Sequence, residues 1–283
     1  MLIIIGSLVV VISMIGGFML AGGNPLVLLH ISEFVVILGI ASGVLITASP
    51  KSVLLRILAD TKACLTSKGA TEADFLDLMK LLYEIFMLGR KSGLIALDEH
   101  MTDPHASSIL TKYPEFLKDD EKVTFLVNSL RPIIDGKIKP EQLEGILVAE
   151  VHSKEEEAEK SISMLHLVGD SLPGIGIVAA VLGIINTMSA IADGPERVGQ
   201  SVAAALTGTF LGIFTAYGFV NPLAQRIQFL HKTEFLYYNT ISRAVSAFAK
   251  GLAPLMAIEI ARRSLEKSVQ PRADELEAIL KNI

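Results

Sequence analysis

Few residues of this 283-residue chain have the types and spacing that chemistry requires. The segment DEHMTDPH places His100 and His105 beside Asp98 and Asp103, which are side chains that bind divalent metals. Loop histidines next to prolines are more often plain surface residues, and this interpretation is favoured. The sequence has no G-x-x-x-x-G-K-[ST] phosphate loop, no H-E-x-x-H zinc motif and no G-x-S-x-G nucleophile turn. We therefore expect no enzyme, no metal and no cofactor.

Small residues form a second pattern. Ala204, Gly208, Gly212 and Ala216 recur every four positions, so they share one helical face, along which helices can approach closely. Packing within one subunit explains any single pair at least as well, whereas four in succession favour contact with a helix of another chain. Thr209 borders this face, and its hydroxyl could bond either a partner's carboxyl group or its own backbone.

Four long apolar runs carry these small residues. About 20 mostly apolar residues span the hydrocarbon core of a bilayer. Buried helices of a soluble protein are the alternative, but such helices usually keep a polar stripe. We predict an all-α membrane protein with four transmembrane helices in two hairpins and a helical cytoplasmic domain between the second and third. The predicted spans cover about residues 2–20, 31–49, 171–192 and 198–225.

The distribution of positive charge predicts the topology. Of the 25 Lys and Arg residues, only Arg197 lies in a short loop between two spans of one hairpin. Because basic residues near span ends stay inside, both short loops should face outward and both termini should be cytoplasmic. The predicted domains are hairpin 1 (1–50), a cytoplasmic domain (51–168), hairpin 2 (169–225) and a cytoplasmic tail (226–283).

The apolar runs are also notable for the charges that they lack. Ionisable residues inside a bilayer are costly and usually functional. The third and fourth runs contain none, Asp170 should lie at the inner edge, and Glu33 should be an interfacial carboxylate near the outer edge of the second span. Either the protein moves no ions, or a partner helix supplies the titratable group.

Two prolines flank the second hairpin on its predicted cytoplasmic side. Pro173 could simply open a helix in its first turn. Pro222 falls inside a helical pattern that continues past Gln225, so we predict a kink that acts as a hinge towards the cytoplasmic helices.

The cytoplasmic block carries both charge signs, and the net charge of −5 excludes a binder of nucleic-acid phosphates. The single cysteine excludes an internal disulfide. Most of these charges should only be solvated, but the alternative is a docking face that recognises a partner by charge. Its best candidates flank one helix end: Arg90, Lys91, Asp98 and Glu99.

Three stretches carry a resemblance: MLIIIGSLVVVISMIGGFMLAGG, GDSLPGIGIVAAVLG and GTFLGIFTAYGFVNPLA. Over nearly its whole length the chain resembles the MotA family of flagellar motor stator A subunits, within the MotA/TolQ/ExbB proton-channel superfamily. The resemblance implies a ring, usually of five A subunits, around two single-span B subunits (MotB) in the bacterial inner membrane. A MotB aspartate accepts the coupling proton, and the resulting torque on the rotor protein FliG drives motility and chemotaxis.

The resemblance also implies roles for residues in the membrane. Pro173 and Pro222 match the family's two functional prolines, and Thr209 matches the threonine that faces the ion site. With the resemblance in hand, the partner's aspartate is expected in a groove beside these residues, with Asp170 at its inner end. The groove is expected to be lined by Ala180, Gly208, Gly212 and Thr209.

In the cytoplasmic block, Arg90 matches the arginine that meets the rotor, and Glu150 matches a further acidic position. At Asp98 well-studied members carry glutamate, so the charge is kept but its reach is shorter. The nearest alternative is a Tol/Ton-type energy transducer of the cell envelope, although the large block between spans two and three favours the stator. A membrane enzyme or carrier is less favoured, because no catalytic cluster or intramembrane polar site is evident.

Overall fold

A computed structural model describes residues 2–66, 69–189 and 194–283. Within these ranges every regular element is a helix and no strand occurs, which confirms the all-α prediction. The α-helices are α1 (Leu2–Leu20), α2 (Ile31–Ala48), α3 (Lys51–Thr66), α4 (Glu72–Ser92), α5 (Asp98–Thr102), α6 (Pro114–Leu117), α7 (Asp120–Ile134), α8 (Pro140–Ser189), α9 (Pro195–Thr215), α10 (Asn221–Ala249), α11 (Pro254–Arg263) and α12 (Ala273–Leu280). Three short 3-10 turns, Pro25–Leu28, Leu94–Leu97 and Leu110–Lys112, and one π-helical turn, Ala216–Val220, complete the elements.

Four helical segments are long and apolar enough to cross a membrane, as predicted. They are Leu2–Leu20, Pro25–Ala48, Pro140–Met188 and Pro195–Ala249. The chain is therefore a multi-pass membrane protein. Residues 190–192 of the third predicted span lie outside the described residues.

The chain divides into two compact units. The span unit comprises Met1–Lys68 and Glu157–Leu230, and the globular unit comprises Gly69–Glu156 and His231–Ile283. The four predicted domains are consecutive stretches of sequence, and their bounds stay a prediction. Neither hairpin 2 nor the tail begins at a helix end, because α8 and α10 run without interruption through residues 168 and 225.

The globular unit has a conventional apolar core. Helix α4 begins with a capping box, in which the Thr71 backbone N–H donates to Asp74 Oδ2 at 2.6 Å, and it ends at Gly93 with φ of 84°. Phe75 and Phe86 on this helix are completely buried. Large side chains therefore dominate the core of this unit.

The span unit buries smaller side chains. Helices α2, α8 and α9 meet around Ile37, Ala41, Ala179 and Leu211. Helix α1 buries no residue and presents apolar side chains such as Ile12, which is 61% exposed. Such a surface suits lipid or a helix of another chain rather than water.

Of the two functional proline candidates, Pro222 lies inside a continuous helical segment, as predicted, and Pro173 differs from its prediction. Pro173 lies inside α8, so the expectation that it opens a helix is wrong. Helix α8 is continuous because residues on both sides of Pro173 keep helical packing against their neighbours, as the burial of Leu172 and Ile175 shows. Pro222 is the second residue of α10, which begins directly after the π-helical turn, and such turns are often found at functional sites.

Candidate functional site

Helices α8 and α9 touch backbone to backbone within the span unit. A Cβ atom built on Gly176 would lie 2.9 Å from the carbonyl oxygen of Gly208. One built on Gly212 would lie 2.5 Å from the carbonyl oxygen of Leu172. Real Cβ atoms do not approach so closely, so these glycines set the distance between the two helices.

This contact changes the interpretation of the small-residue face. Gly208 and Gly212 are buried against α8 of the same chain. The repeat of small residues at every fourth position had instead favoured contact with a helix of another chain. The face cannot then be left open for another chain at these two residues. The predicted groove residues do lie together, since a Cβ on Gly208 would be 3.3 Å from the Ala180 backbone nitrogen and Thr209 adjoins Gly176.

Thr209 differs from the threonines near it. The Thr207 hydroxyl donates to Ala203 O at 2.9 Å, and the Thr187 hydroxyl donates to Gly183 O at 2.8 Å. Both hydroxyl groups therefore form their hydrogen bonds with the backbone of their own helix. In the described part of the chain the half-buried Thr209 hydroxyl makes no such bond, so it can accept or donate to a group that approaches α9.

Glu33 lies in the first turn of α2, near the end of the second span where the sequence places it, but the sequence did not indicate that its side chain is buried. The residue is only 6% exposed, and Oε2 lies 2.7 Å from the position that a Cβ on Gly208 would take. The available signal was length, because the second apolar run reaches spanning length only when it includes Glu33.

The inner part of the site joins α8 to α10. The Asn221 amide fits against Gly169, which has no side chain to exclude it. Asn221 Nδ2 lies 3.5 Å from Asp170 Oδ1, and Asp170 is otherwise exposed. This joint lies beside Pro173 in α8 and Pro222 in α10, so both prolines flank one polar contact.

The predicted rotor-interface residues lie in the globular unit. Arg90, in the last turn of α4, and Asp98, the first residue of α5, are exposed at either end of the turn Leu94–Leu97. Neither forms an ion pair with any residue that the structure describes. Between them lies Ile95, which is 83% exposed and which the sequence interpretation missed. Glu150 is half-buried on α8.

The histidines of the DEHMTDPH segment have local partners. His100 Nδ1 lies 2.8 Å from Ser107 Oγ, whose hydroxyl also accepts from the backbone of Leu110. His105 is exposed and lies 4.0 Å from Asp120. In residues 2–66, 69–189 and 194–283, no three side chains of metal-ligand type converge.

Comparison with known families gives two matches along the chain. Residues 4–93 match the family "Motility protein A N-terminal", and residues 118–240 match the "MotA/TolQ/ExbB proton channel family". The chain is 33% identical over 277 residues to Motility protein A of Escherichia coli K12, covering 98% of this chain and 94% of that protein. It is 33% identical over 275 residues to chemotaxis protein LafT of Vibrio parahaemolyticus, covering 96% of each.

The fold also resembles a solved structure. The chain superposes on the "Structure of C. jejuni MotAB" with a TM-score of 0.78 and 22% identity, covering 94% of this chain and 95% of that one. At this identity the likeness concerns the arrangement of the helices.

Proposed function

Since the chain belongs to the motility protein A family, we propose that it is the A-type stator subunit of a bacterial flagellar motor. With a B-type subunit it forms a proton channel, and it converts the flow of protons into torque on the rotor. A proton channel is a transport protein, so the family supports the predicted non-enzymatic role. No nucleic acid and no cofactor takes part in this function, and the proton is the coupling ion.

One observation supports the channel role most strongly. The glycines of α8 and α9 bring the two backbones into contact, and the apolar stretches of both helices carry no ionisable side chain in residues 171–189 and 198–215. The Thr209 hydroxyl is a polar group of α9 beside this contact. Such a wall can guide a titrating group on a partner helix, because neither α8 nor α9 carries an ionisable side chain in these stretches.

The partner is a MotB-type single-span subunit, whose aspartate carries the proton past Thr209. Neutralising that carboxylate weakens its attraction to polar groups, and deprotonation restores it. Five copies of this chain around two B subunits can then step with each proton. A charge that crosses ~150 mV releases roughly 3.5 kcal/mol, from ~2.3 kcal/mol per 100 mV, which is enough to repack one helix contact.

The prolines and the long helices transmit this step. Helix α8 contains Pro173 and continues to Pro140 at one end, and α10 begins beside Pro222 and continues to Ala249. A movement at either proline is therefore carried along a hydrogen-bonded helix rather than a loop. Pro173, Pro222 and Asp170 couple proton binding to torque in this scheme.

The rotor protein FliG docks on the exposed turn of the globular unit. Arg90 and Asp98 offer unpaired charges of opposite sign, and Ile95 offers an apolar anchor between them. Glu150 is a further acidic contact. Because the rotor is cytoplasmic, both termini of the chain also lie on the cytoplasmic side of the inner membrane.

Complementation tests the function. The chain is expressed with its B-type subunit in a flagellated strain that lacks its own stators, and swimming is recorded with and without a protonophore. We expect swimming that the protonophore abolishes and that varied sodium does not change. Absence of swimming with a correctly inserted pair, or brisk proton conduction by the chain alone in vesicles, would contradict the proposal.

The docking turn supplies a sharper variant of the same test. Ile95→Ser should reduce torque without reducing proton flux, because the Ile95 side chain is 83% exposed and its loss removes only the anchor. The matched control is Ile146→Ser, which alters an isoleucine that is 53% exposed elsewhere in the globular unit. Equal torque in both variants would remove Ile95 from the rotor interface.

A further inference from the structure

The Glu33 carboxyl group is buried without full hydrogen bonding. Glu33 lies in the first turn of α2 and is 6% exposed. Its Oε2 atom is buried and has no hydrogen-bond partner among the residues that the structure describes. A buried carboxylate oxygen without a hydrogen bond is unfavourable in an apolar medium, and a bound proton removes the charge that makes it so.

The position of the carboxyl group coincides with the glycine contact of α8 and α9. Oε2 occupies the space that a Gly208 side chain would need, at 2.7 Å from the Cβ position. Ala179 and Ala180 line the same point, at 3.1 and 3.3 Å. The absence of a side chain at residue 208 therefore makes room for an acid from α2.

A second buried polar atom lies on the same helix turn. His30 caps the start of α2, its carbonyl oxygen accepts the Glu33 backbone N–H at 3.1 Å, and its Nδ1 atom is buried with no partner in the described residues. The imidazole and the Ser32 hydroxyl are the polar side chains that act on the Glu33 carboxyl group. Two incompletely bonded groups that can each carry a proton thus stand three residues apart.

Among the described residues, the neighbouring helices bring no other ionisable group close to this pair. Helix α9 carries Glu196 and Arg197 only in its first turn, where both are exposed. Helix α8 has no ionisable residue from residue 171 to residue 189, and Asp170 precedes that stretch. Helix α1 has none over Leu2–Leu20.

We propose that Glu33 is a proton-binding group that this chain itself contributes to the ion pathway, and that His30 exchanges its proton with the outer aqueous side. The inference rests on the proposed function, and it adds a site before the partner's aspartate. One proton converts the Glu33 carboxylate to a neutral carboxyl group, and the same proton then passes to the partner's carboxylate. No other bond forms or breaks.

Proton flux tests the proposal in the complex of the full chain with its B-type subunit. Inverted membrane vesicles carry a pH gradient, and a pH-sensitive dye reports flux for the wild type, Glu33→Gln and Glu33→Asp. We expect Glu33→Gln to lower the flux about tenfold, because glutamine has no proton to bind or release, and Glu33→Asp to keep part of it. The matched control, Glu196→Gln, neutralises an exposed acid of α9 and should leave the flux unchanged.

Infrared difference spectroscopy provides a readout that a structural role would not move. Between neutral and acidic pH, the purified complex should show a protonated-carboxyl band that Glu33→Gln removes and Glu196→Gln keeps. His30→Gln should shift the pH at which this band titrates. A band unchanged by Glu33→Gln would overturn the assignment.

The outcomes separate this inference from the proposed function. If the wild-type complex neither conducts nor swims, the stator function fails. If the wild type conducts and a well-assembled Glu33→Gln complex conducts equally, only the Glu33 site fails. Should Glu33→Gln not accumulate, Glu33→Asp and His30→Gln decide, since wild-type flux and titration in both would overturn the proposal.

Discussion

In the globular unit the close contact between helices is made by large aromatic side chains, whereas in the span unit it is made by glycines. In the globular unit Phe86 of α4 stacks on Phe248 of α10, with ring centroids 4.4 Å apart. In the span unit Gly176 of α8 meets Gly208 and Gly212 of α9. Burying a large apolar side chain is favourable in water, whereas lipid is already apolar and rewards close backbone packing instead. The aromatic contact of the globular unit is therefore suited to water, and the glycine contact of the span unit is suited to lipid.

The largest loss of stability is expected when an aromatic side chain is deleted from the globular core. Phe86→Ala should lower the free energy of unfolding by about 3–5 kcal/mol, because it removes a completely buried ring and leaves a cavity. Thermal unfolding of the purified chain, followed by circular dichroism, measures the change. Ile146→Ala truncates a half-exposed side chain of the same unit and should cost far less. A similar loss in both variants would contradict the role of the stacked pair.

In the span unit the damaging change is an addition. Gly212→Leu should destabilise the α8–α9 contact by roughly 1–3 kcal/mol, because even its Cβ atom would collide with the Leu172 carbonyl oxygen. Gly199→Leu is the matched control on the same helix, since a Cβ there meets no atom within 4 Å. The amount of folded protein in membranes and its thermal stability in detergent report the effect. Equal tolerance of both leucines would disprove the close contact.

The α8–α10 joint sharpens the comparison, because here a glycine accommodates a polar side chain. Gly169→Ala should cost about 1–2 kcal/mol, since its Cβ would overlap the Asn221 amide. Asn221→Ala in the same chain should recover most of that loss. The double-mutant cycle, measured by thermal unfolding, tests this coupling. Strict additivity of the two substitutions would show that the side chains do not meet.

The smallest effect is electrostatic and concerns the globular unit alone. Hydrogen bonds from Arg262 and Arg263, each with a closest distance of 2.7 Å, lower the pKa of Glu259 to about 2. Since the ordinary value is 4.5, the ionised group stabilises the fold above that pH, and the stabilisation is lost as the pH falls towards 2.

Because Glu259 is partly exposed, the contribution should be only about 1 kcal/mol. Thermal unfolding at neutral pH and at about pH 3 should therefore show a weaker pH dependence in Glu259→Gln than in the wild type. Glu115→Gln removes a carboxylate that is 75% exposed and serves as the control. A pH dependence that is the same in all three proteins would exclude the Arg262–Glu259 pair as a source of acid sensitivity.

Elements whose ends depend on nearby residues can be recognised from the sequence alone. The capping box Thr71–Asp74 and the terminal Gly93 of α4 depend only on nearby residues, and the structure has both. The four spans were predicted because a bilayer demands about 20 apolar residues from each helix independently. Signals of this kind need no knowledge of the neighbouring helices.

The candidate site depended on which helices meet, and this the sequence alone did not determine. The repeat of Gly208 and Gly212 indicated a close contact but not its partner, which is α8 of the same chain. The burial of Glu33 was missed because the sequence shows only its place near the start of α2, whereas its carboxyl group packs beside Gly208 of α9. Position along one helix does not show which neighbouring helix a side chain packs against.

The π-helical turn Ala216–Val220 changes which side of the fourth span faces its neighbours. A π turn accommodates one residue more than an α turn, so everything after it is rotated by about 100° relative to a continuous α-helix. The four-residue repeat that runs through Gly208 and Gly212 therefore loses its phase at Ala216. From Asn221 onward, α10 turns a different side towards its neighbours than a continuous α-helix would.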